Sequence, residues 1–532
     1  MGRGELTCMV GPITLGATLA RASSYEAILE IPSGVTLLEV RGSLTANLPV
    51  GWLRQRFSGQ LLYSLSNGTS DDRFASRSIT RHRALVQAAG DYDMVRMDAD
   101  CDLSREMLAA IPAEKRLICW KGPCGDVAYL RSVFERISEV PARMYSMVVK
   151  GSCARDAATP LLLLKELGRR DLTAVCDGKG GLWSRILAPH FGAPMVFGRL
   201  DHDQIDDSGE PSVYQLIEDY GFPALHPVRE LYGIVGTRIF QSPSPRLHNA
   251  GYRSLHHPAL FLPFHVENFD EFWREIIQSS LFEPLGLAIK GLTIVSPYKE
   301  AAFSLVAARS PMACRAGASN VVVRRNGSWE AHTTDTESIA TIAEKKDEPP
   351  ERFNAAVIGC GGAGRAIAAA LQQAGAHVSL VNRGKERGDV AVRLLGLPFI
   401  ALSDFQPARF TLLVNATPVG RDDDSTPFDI DSLSPGTLVI DLVYRAQPTS
   451  LAAGVIARGG TVVDGYDVLL NQVRKQFHIM TGWELPPAID RQTLTSQESG
   501  IGVSSRQASR DGQLPVPLAK GLAHGIESAL LG

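Results

Sequence analysis

The chain is poor in the features that mark specialised classes. Its 532 residues include 8 cysteines, with no CxxC pair and no regular spacing. Neither a zinc site nor a disulfide framework is suggested, so no metal is expected. Buried, reduced thiols are the simpler expectation in so large a chain. Positive charge is not in excess: 54 Lys and Arg against 57 Asp and Glu leave a formal charge of −3. No basic field argues for a nucleic-acid partner. No apolar run approaches the roughly 18 residues of a membrane span. The first residues, Met1-Gly2-Arg3-Gly4-Glu5-Leu6, lack a charged stretch followed by an apolar one. A cytoplasmic location is therefore the default expectation. Internal repeats and strong low-complexity tracts are lacking too.

What is present is ordinary globular α/β material. Apolar residues make up 45% and charged residues 21%, and the length suits roughly two to four domains. In the first half, short β-rich runs recur at Cys8–Ile13, Thr36–Arg41, Leu61–Leu65, Met94–Asp98, Leu117–Lys121, Met144–Val149, Thr173–Cys176 and Pro194–Arg199. Helical patterns lie between them, at Ser78–Ala89, Cys101–Ala110, Val127–Ser138 and Ala157–Leu167. Alternating β and α means a parallel sheet. About eight units in roughly 220 residues is the count of a closed (β/α)8 barrel, with an open doubly wound sheet as the competing reading.

Chemistry in such a barrel gathers at the C-terminal strand ends. These ends supply Glu39 and Arg41, Ser66, Lys121, Ser146 or Lys150, and Arg185. Glu39-Val40-Arg41, the Gly178–Arg185 turn and Ser208-Gly209-Glu210 together resemble type I 3-dehydroquinate dehydratase, over about residues 8–225. The resemblance implies substrate binding at Glu39, Arg41 and Arg185, and a lid at Glu210. Its catalytic pair departs from the family pattern. Lys121 takes the position of the proton-shuttling His, and either Ser146 or Lys150 takes that of the Schiff-base Lys. Leu65–Ser70 lacks the family's Arg and Glu. The implied barrel site is degenerate, and a scaffold or ligand-binding role competes with dehydration.

The second half turns on Pro297-Tyr298-Lys299-Glu300, where a β-rich run stops and an amine follows at once. An isolated acid, Asp335, stands in Thr333-Thr334-Asp335, with Asn320 between them. Further on, the buried-strand pattern Asn354–Ile358 runs into Gly359-Cys360-Gly361-Gly362-Ala363-Gly364 and a helical pattern at Ala366–Ala374. This is GxGxxG between strand and helix, where glycines admit a pyrophosphate to the backbone and the helix N-terminus attracts its charge. The next strand, His377–Val381, ends in Asn382-Arg383 rather than an acid, with Lys385 and Arg387 following. Basic residues there attract a 2′-phosphate, so NADP is expected over NAD.

Together with Ser242-Pro243-Ser244-Pro245, Asn415-Ala416-Thr417-Pro418, Asp441–Tyr444 and Asp464–Gln472, these motifs resemble shikimate dehydrogenase over about residues 230–485. The whole chain resembles the fused dehydratase–dehydrogenase arrangement. A Lys/Asp pair suits hydride transfer because one proton must leave or rejoin the alcohol oxygen. The resemblance implies Lys299 and Asp335 as that catalytic pair. It implies Ser242 and Ser244 as carboxylate-binding hydroxyls, and Asn320 and Gln472 as ring-hydroxyl contacts. Tyr444 falls at the cleft, and Asn415 and Thr417 near the cofactor. The expected substrate is shikimate, interconverted with 3-dehydroshikimate. Thr293 and Val295 replace the family's Asn-x-Thr. A hydroxyl lost at Val295 costs about 1–3 kcal/mol if its partner stays unpaired, which leaves quinate or another hydroxylated cyclic acid open as substrate.

The expected domains are a barrel (1–226), a substrate lobe (227–345, completed by 466–488), a Rossmann NADP lobe (346–465) and a disordered tail (489–532). Within the tail, Ser496–Gly512 is rich in Ser, Gln and Gly. Leu518–Leu531 has weak helical periodicity.

Overall fold

A computed structural model describes residues 13–19, 27–42, 49–65, 78–151, 154–200, 209–337, 349–445 and 447–494. Ser66 and its run to Ser70, Ser208 and the tail segments Ser496–Gly512 and Leu518–Leu531 lie outside the described residues.

The first eight strands are β1 (Thr14–Leu19), β2 (Val35–Arg41), β3 (Gln60–Ser64), β4 (Met94–Asp98), β5 (Arg116–Pro123), β6 (Met144–Lys150), β7 (Leu172–Asp177) and β8 (Met195–Arg199). They form one parallel sheet in the order β7-β6-β5-β4-β3-β2-β1-β8. This is the sequential order of a (β/α)8 cylinder, and it rules out the open doubly wound order. The expected closure is incomplete, because no ladder joins β7 to β8 among the described residues. On β7, the Cys176 amide instead donates to Ser184 Oγ at 3.0 Å.

The first strand of the sheet is Thr14–Leu19; of the expected run Cys8–Ile13, residues 8–12 lie outside the described residues. Thr-Leu-Gly-Ala-Thr-Leu has modest β propensity, but pairing with β2 and β8 on either side decides the matter. The Cys101–Ala110 helix begins only at Arg105, where Ser104 caps it by accepting from the Met107 amide.

The second sheet contains β9 (Glu230–Gly236), β10 (Ala259–His265), β11 (Ala288–Ile294), β12 (Ala308–Arg309), β13 (Val321–Arg325) and β14 (Ser328–His332), in the order β10-β9-β11-β13-β14-β12. The third contains β15 (Asn354–Ile358), β16 (His377–Asn382), β17 (Phe399–Ala401), β18 (Leu412–Asn415), β19 (Leu438–Asp441) and β20 (Thr461–Val463). Its order, β17-β16-β15-β18-β19-β20, is the doubly wound 3-2-1-4-5-6. Ala355–Ile358 are buried, as a central parallel strand covered on both faces requires.

The Gly465–Thr481 helix returns to the second sheet. Asp464 caps its start, accepting from the Tyr466 and Asp467 amides, and Gly482 ends it in the left-handed region at φ 79°. Its Val473, Phe477 and Met480 join Tyr232, Ile234 and Phe261 in one core. The other face of that sheet shares a continuous core with the barrel. Barrel residue Trp183 meets Phe264 and Phe282 at ring-centroid distances of 6.0 and 5.3 Å. The barrel is thus packed into the substrate lobe.

Candidate active site

The cleft lies between the second and third sheets. Lys299 opens a short helix, Lys299–Leu305, directly after β11 and its Pro297 turn. Its Nζ donates to both oxygens of Asp335, at 3.0 and 2.8 Å. The acid is nearly closed off, with its side chain 4% exposed against 18% for the lysine. Asn320 and Gln472 each donate an amide proton to Asp335 Oδ1, both at 3.2 Å. Chain segments up to 137 residues apart in sequence therefore meet on one carboxylate.

A polar network supports this cluster. Thr334 donates its amide to Asn320 Oδ1 at 2.8 Å. Gln476 donates to Thr334 Oγ1 at 3.2 Å and accepts from Thr293 Oγ1 at 3.0 Å. Sequence reasoning missed Gln476, although it lies one helical turn after Gln472. Thr293, where the family has Asn, thus spends its hydroxyl inside the network. Val295 is partly buried and packs against the core that holds Tyr232, Ile234 and Phe261.

Ser242 and Ser244 lie at the start of the Ser244–Ser254 helix. Ser242 Oγ donates to Ser244 Oγ at 3.1 Å, so the two hydroxyls form one polar spot. Tyr444 reaches across from the third sheet to bond Ser242. Burial pushes the tyrosine pKa up, against the lowering effect of that bond. On the same rim, Arg238 and Asp422 form a bidentate pair at 2.8 and 2.6 Å across the cleft.

The glycine loop has the shape an anion needs. Gly359 adopts φ 110°, and a Cβ on Gly364 would stand 1.8 Å from the Gly359 carbonyl oxygen. Gly361 faces open space, with nothing within 4 Å of a hypothetical Cβ. Gly362 is pressed against Lys299: its Cβ would meet Ala318 Cβ at 2.9 Å and Lys299 Cβ at 3.2 Å. Ala363 follows in the first turn of the Gly362–Gln373 helix.

Asn382 folds inward, accepting from the Cys360 amide at 3.4 Å and donating to the Gly384 carbonyl at 2.7 Å. Arg383, Lys385 and Arg387 are exposed just beyond it. Asn415 is fully buried and donates to Asp441 at 2.9 Å. It also accepts from Thr417 Oγ1 at 2.6 Å, so it shapes the turn carrying Thr417. Arg365, another residue missed from sequence, is buried behind the loop. It donates to the Ala316 carbonyl at 2.7 Å and pairs with Glu300, the neighbour of Lys299, at 2.9 Å. A lone basic residue in the apolar run Gly364-Arg365-Ala366-Ile367 was the available signal.

The barrel candidates do not form a comparable cluster. Glu39 is buried in the lumen, accepting from Thr18 at 3.0 Å and Arg96 at 3.2 Å. Burial pushes its pKa up, but Arg96, Arg41, Ser64 and Thr18 outweigh that and hold it low. Arg96 was not anticipated, although it alternates in phase with Met94 and Asp98 on β4. Lys121 pairs with Asp177 at 2.5 Å while 52% exposed. Lys150 is exposed at the end of β6, and Ser146 lies beside Cys119, its neighbour in the ladder. Arg185 approaches Glu210 at 4.0 Å.

A family model described as the shikimate dehydrogenase substrate binding domain matches residues 234–322. The NADP(+) shikimate dehydrogenase of Halobacterium salinarum is 33% identical over 271 residues, covering 50% of this chain and 99% of that protein. The chain belongs to the shikimate dehydrogenase family. The bifunctional 3-dehydroquinate dehydratase/shikimate dehydrogenase of Arabidopsis thaliana, a chloroplastic protein, is 29% identical over 338 residues. That match covers 60% of this chain but only 55% of the plant protein. Among solved structures, a Thermus thermophilus shikimate 5-dehydrogenase complex with NADP(H) and shikimate is 28% identical. It covers 49% of this chain and 97% of that one, with a TM-score of 0.44. A Corynebacterium glutamicum quinate dehydrogenase complex with NAD is 25% identical, covering 51% and 100%, also at a TM-score of 0.44.

Proposed function

We propose that the chain is an NADP-dependent shikimate dehydrogenase, interconverting shikimate and 3-dehydroshikimate on the route to chorismate and the aromatic amino acids. The observation that carries this reading is the Lys299–Asp335 pair, held by Asn320 and Gln472 and packed on the glycine loop at Gly362. The domain division is the one expected above: barrel, substrate lobe completed by the Gly465–Thr481 helix, nucleotide lobe and tail. The setting is cytoplasmic; among the described residues no helix is long and apolar enough to cross a membrane.

Oxidation of a secondary alcohol removes a proton from oxygen and a hydride from carbon, leaving a carbonyl. Lys299 takes the oxygen's proton, and in the reverse direction it returns one. Asp335 fixes the amine's direction and shares the proton. Ser242 and Ser244 bind the carboxylate, and Asn320 and Gln472 orient the ring hydroxyls, with Tyr444 closing the pocket. When bound, the nicotinamide supplies the two-electron acceptor. The residues present fit such a cofactor. Gly359, Gly361, Gly362, Ala363 and Gly364 leave room for the pyrophosphate, with Thr417 and its turn beside them. Asn382, Arg383 and Arg387 would take the adenosine 2′-phosphate.

The barrel is a scaffold in this reading. A Schiff base needs an amine activated by its surroundings, whereas Lys121, beside Asp177, and Lys150 are both exposed to water. The test of the main reading is NADPH formation with shikimate and quinate side by side. Shikimate turnover is expected in the wild type, and turnover of neither acid would sink the reading.

A further inference from the structure

Ser242 lies in the turn before the Ser244–Ser254 helix and Ser244 opens that helix, each followed by a proline, and a helix end alone sets hydroxyl directions poorly. The last barrel helix, Val213–Tyr220, runs alongside it. Three of that helix's polar residues, Gln215, Glu218 and Asp219, are spaced i, i+3, i+4 and so share one face. All three are turned to the serine loop. Gln215 donates to the Phe240 carbonyl, two residues before Ser242, at 3.4 Å. Its other amide atom accepts from the Ser212 amide at 3.0 Å, completing a capping box that fixes the side chain. Arg246, two residues after Ser244, pairs with Asp219 at 2.9 Å and Glu218 at 2.7 Å. Its side chain is only 8% exposed. Asn249 on the same helix donates to the Asp219 carbonyl at 2.9 Å. The loop is therefore gripped on both sides of its two serines by a helix of the other domain.

We propose that this helix is the template for the substrate's carboxylate site, with Arg246, Asp219 and Gln215 as positioning residues that hold Ser242 and Ser244 in line with Lys299. A barrel without Schiff-base chemistry then still has a function: it is one wall of the dehydrogenase. The inference rests on the dehydrogenase reading above and adds residues to it. A buried pair holds direction well because breaking it leaves a charge without its partner.

The test uses the full chain carrying D219N together with R246M, which removes both charges at near-constant volume. The KM for shikimate should rise about tenfold, while kcat and the KM for NADP stay within about twofold. An analogue with the carboxylate replaced by hydrogen should be handled equally by wild type and variant, because it has no group for the serines to bind. R246K, which keeps the charge, should restore most of the loss. Unchanged shikimate KM in the folded double variant would overturn the proposal. So would an equal loss for the analogue, which marks a merely structural role. If the double variant does not fold, Q215A, which removes the bond to the Phe240 carbonyl, reads the same ratio. Wild-type turnover is measured first. If it is absent the dehydrogenase reading falls, and the positioning role is judged by calorimetry of shikimate binding to the same variants.

Discussion

Two lysine–aspartate pairs mark the two halves of this molecule, and they are built differently. Lys121 and Asp177 meet at 2.5 Å at the barrel mouth, but the lysine is 52% and the aspartate 26% exposed. Lys299 and Asp335 meet at 2.8 Å with side chains 18% and 4% exposed, and Asp335 is held by two further amides. An exposed pair contributes little and holds no direction, because water screens it and both side chains remain free to move. A shielded pair with neighbouring donors directs its proton. The short contact alone does not make a site; the shell around it does.

The largest effect that could break this comparison is at the two lysines. Lys299→Ala should lower kcat for shikimate oxidation by about a thousandfold, whereas Lys121→Ala should leave it unchanged. Equal losses, read by NADPH formation, would erase the distinction. Borohydride trapping with dehydroquinate probes the barrel side: no covalent adduct is expected, and mass-spectrometric labelling of Lys121 or Lys150 would restore a second catalytic centre.

The cofactor side comes next. Arg383→Ala should raise the KM for NADP by about ten- to a hundredfold and leave that for NAD nearly untouched. A parallel rise for both cofactors would remove the 2′-phosphate role. The pocket gives a smaller change. Val295→Thr restores the family hydroxyl and should lower the shikimate KM about fivefold, in line with one hydrogen bond. If quinate gains instead, the wall at Val295 selects a different ring.

The smallest effect concerns stability. His248 is buried against Phe261 at a ring distance of 4.2 Å. Burial lowers its pKa from 6.5 to about 3, partly offset by Gln476. The unfolded chain then gains a proton below pH 6.5 that the folded chain refuses. The stability His248 contributes is present above that pH and is lost as pH falls toward 3. His248→Phe should flatten the fall in melting temperature across that window by a few degrees. Calorimetry over pH 4–7 would show it, and an unchanged slope would assign the acid sensitivity elsewhere.

Much of this was legible in the chain itself. Local features carry local signals: the GxGxxG run between strand and helix, the Pro297 turn before Lys299, and the strand ends of β2 and β4. The Asn382-Arg383 end of β16 needed no fold to be read, because charge and position after the second strand are both properties of the sequence. Thr14–Leu19 went unread as a strand because it becomes one through its partners on both sides. Arg96 went unread because its pairing with Glu39 joins residues 57 apart in the chain.

The sequence by itself determined the inventory of residues: a lysine and an aspartate at matched positions, a GxGxxG loop between strand and helix, a basic run after the next strand and a set of polar residues at the barrel strand ends. These follow from residue type and spacing along the backbone. Only the tertiary structure decided which pairs are shielded. It placed Gln472 and Asn320 on Asp335, Gln476 beneath them, and Gly362 against Lys299. It also set the last barrel helix along the Ser242–Ser244 loop. Exposure and long-range contact depend on how elements pack, and packing is a property of the whole fold that no single stretch encodes.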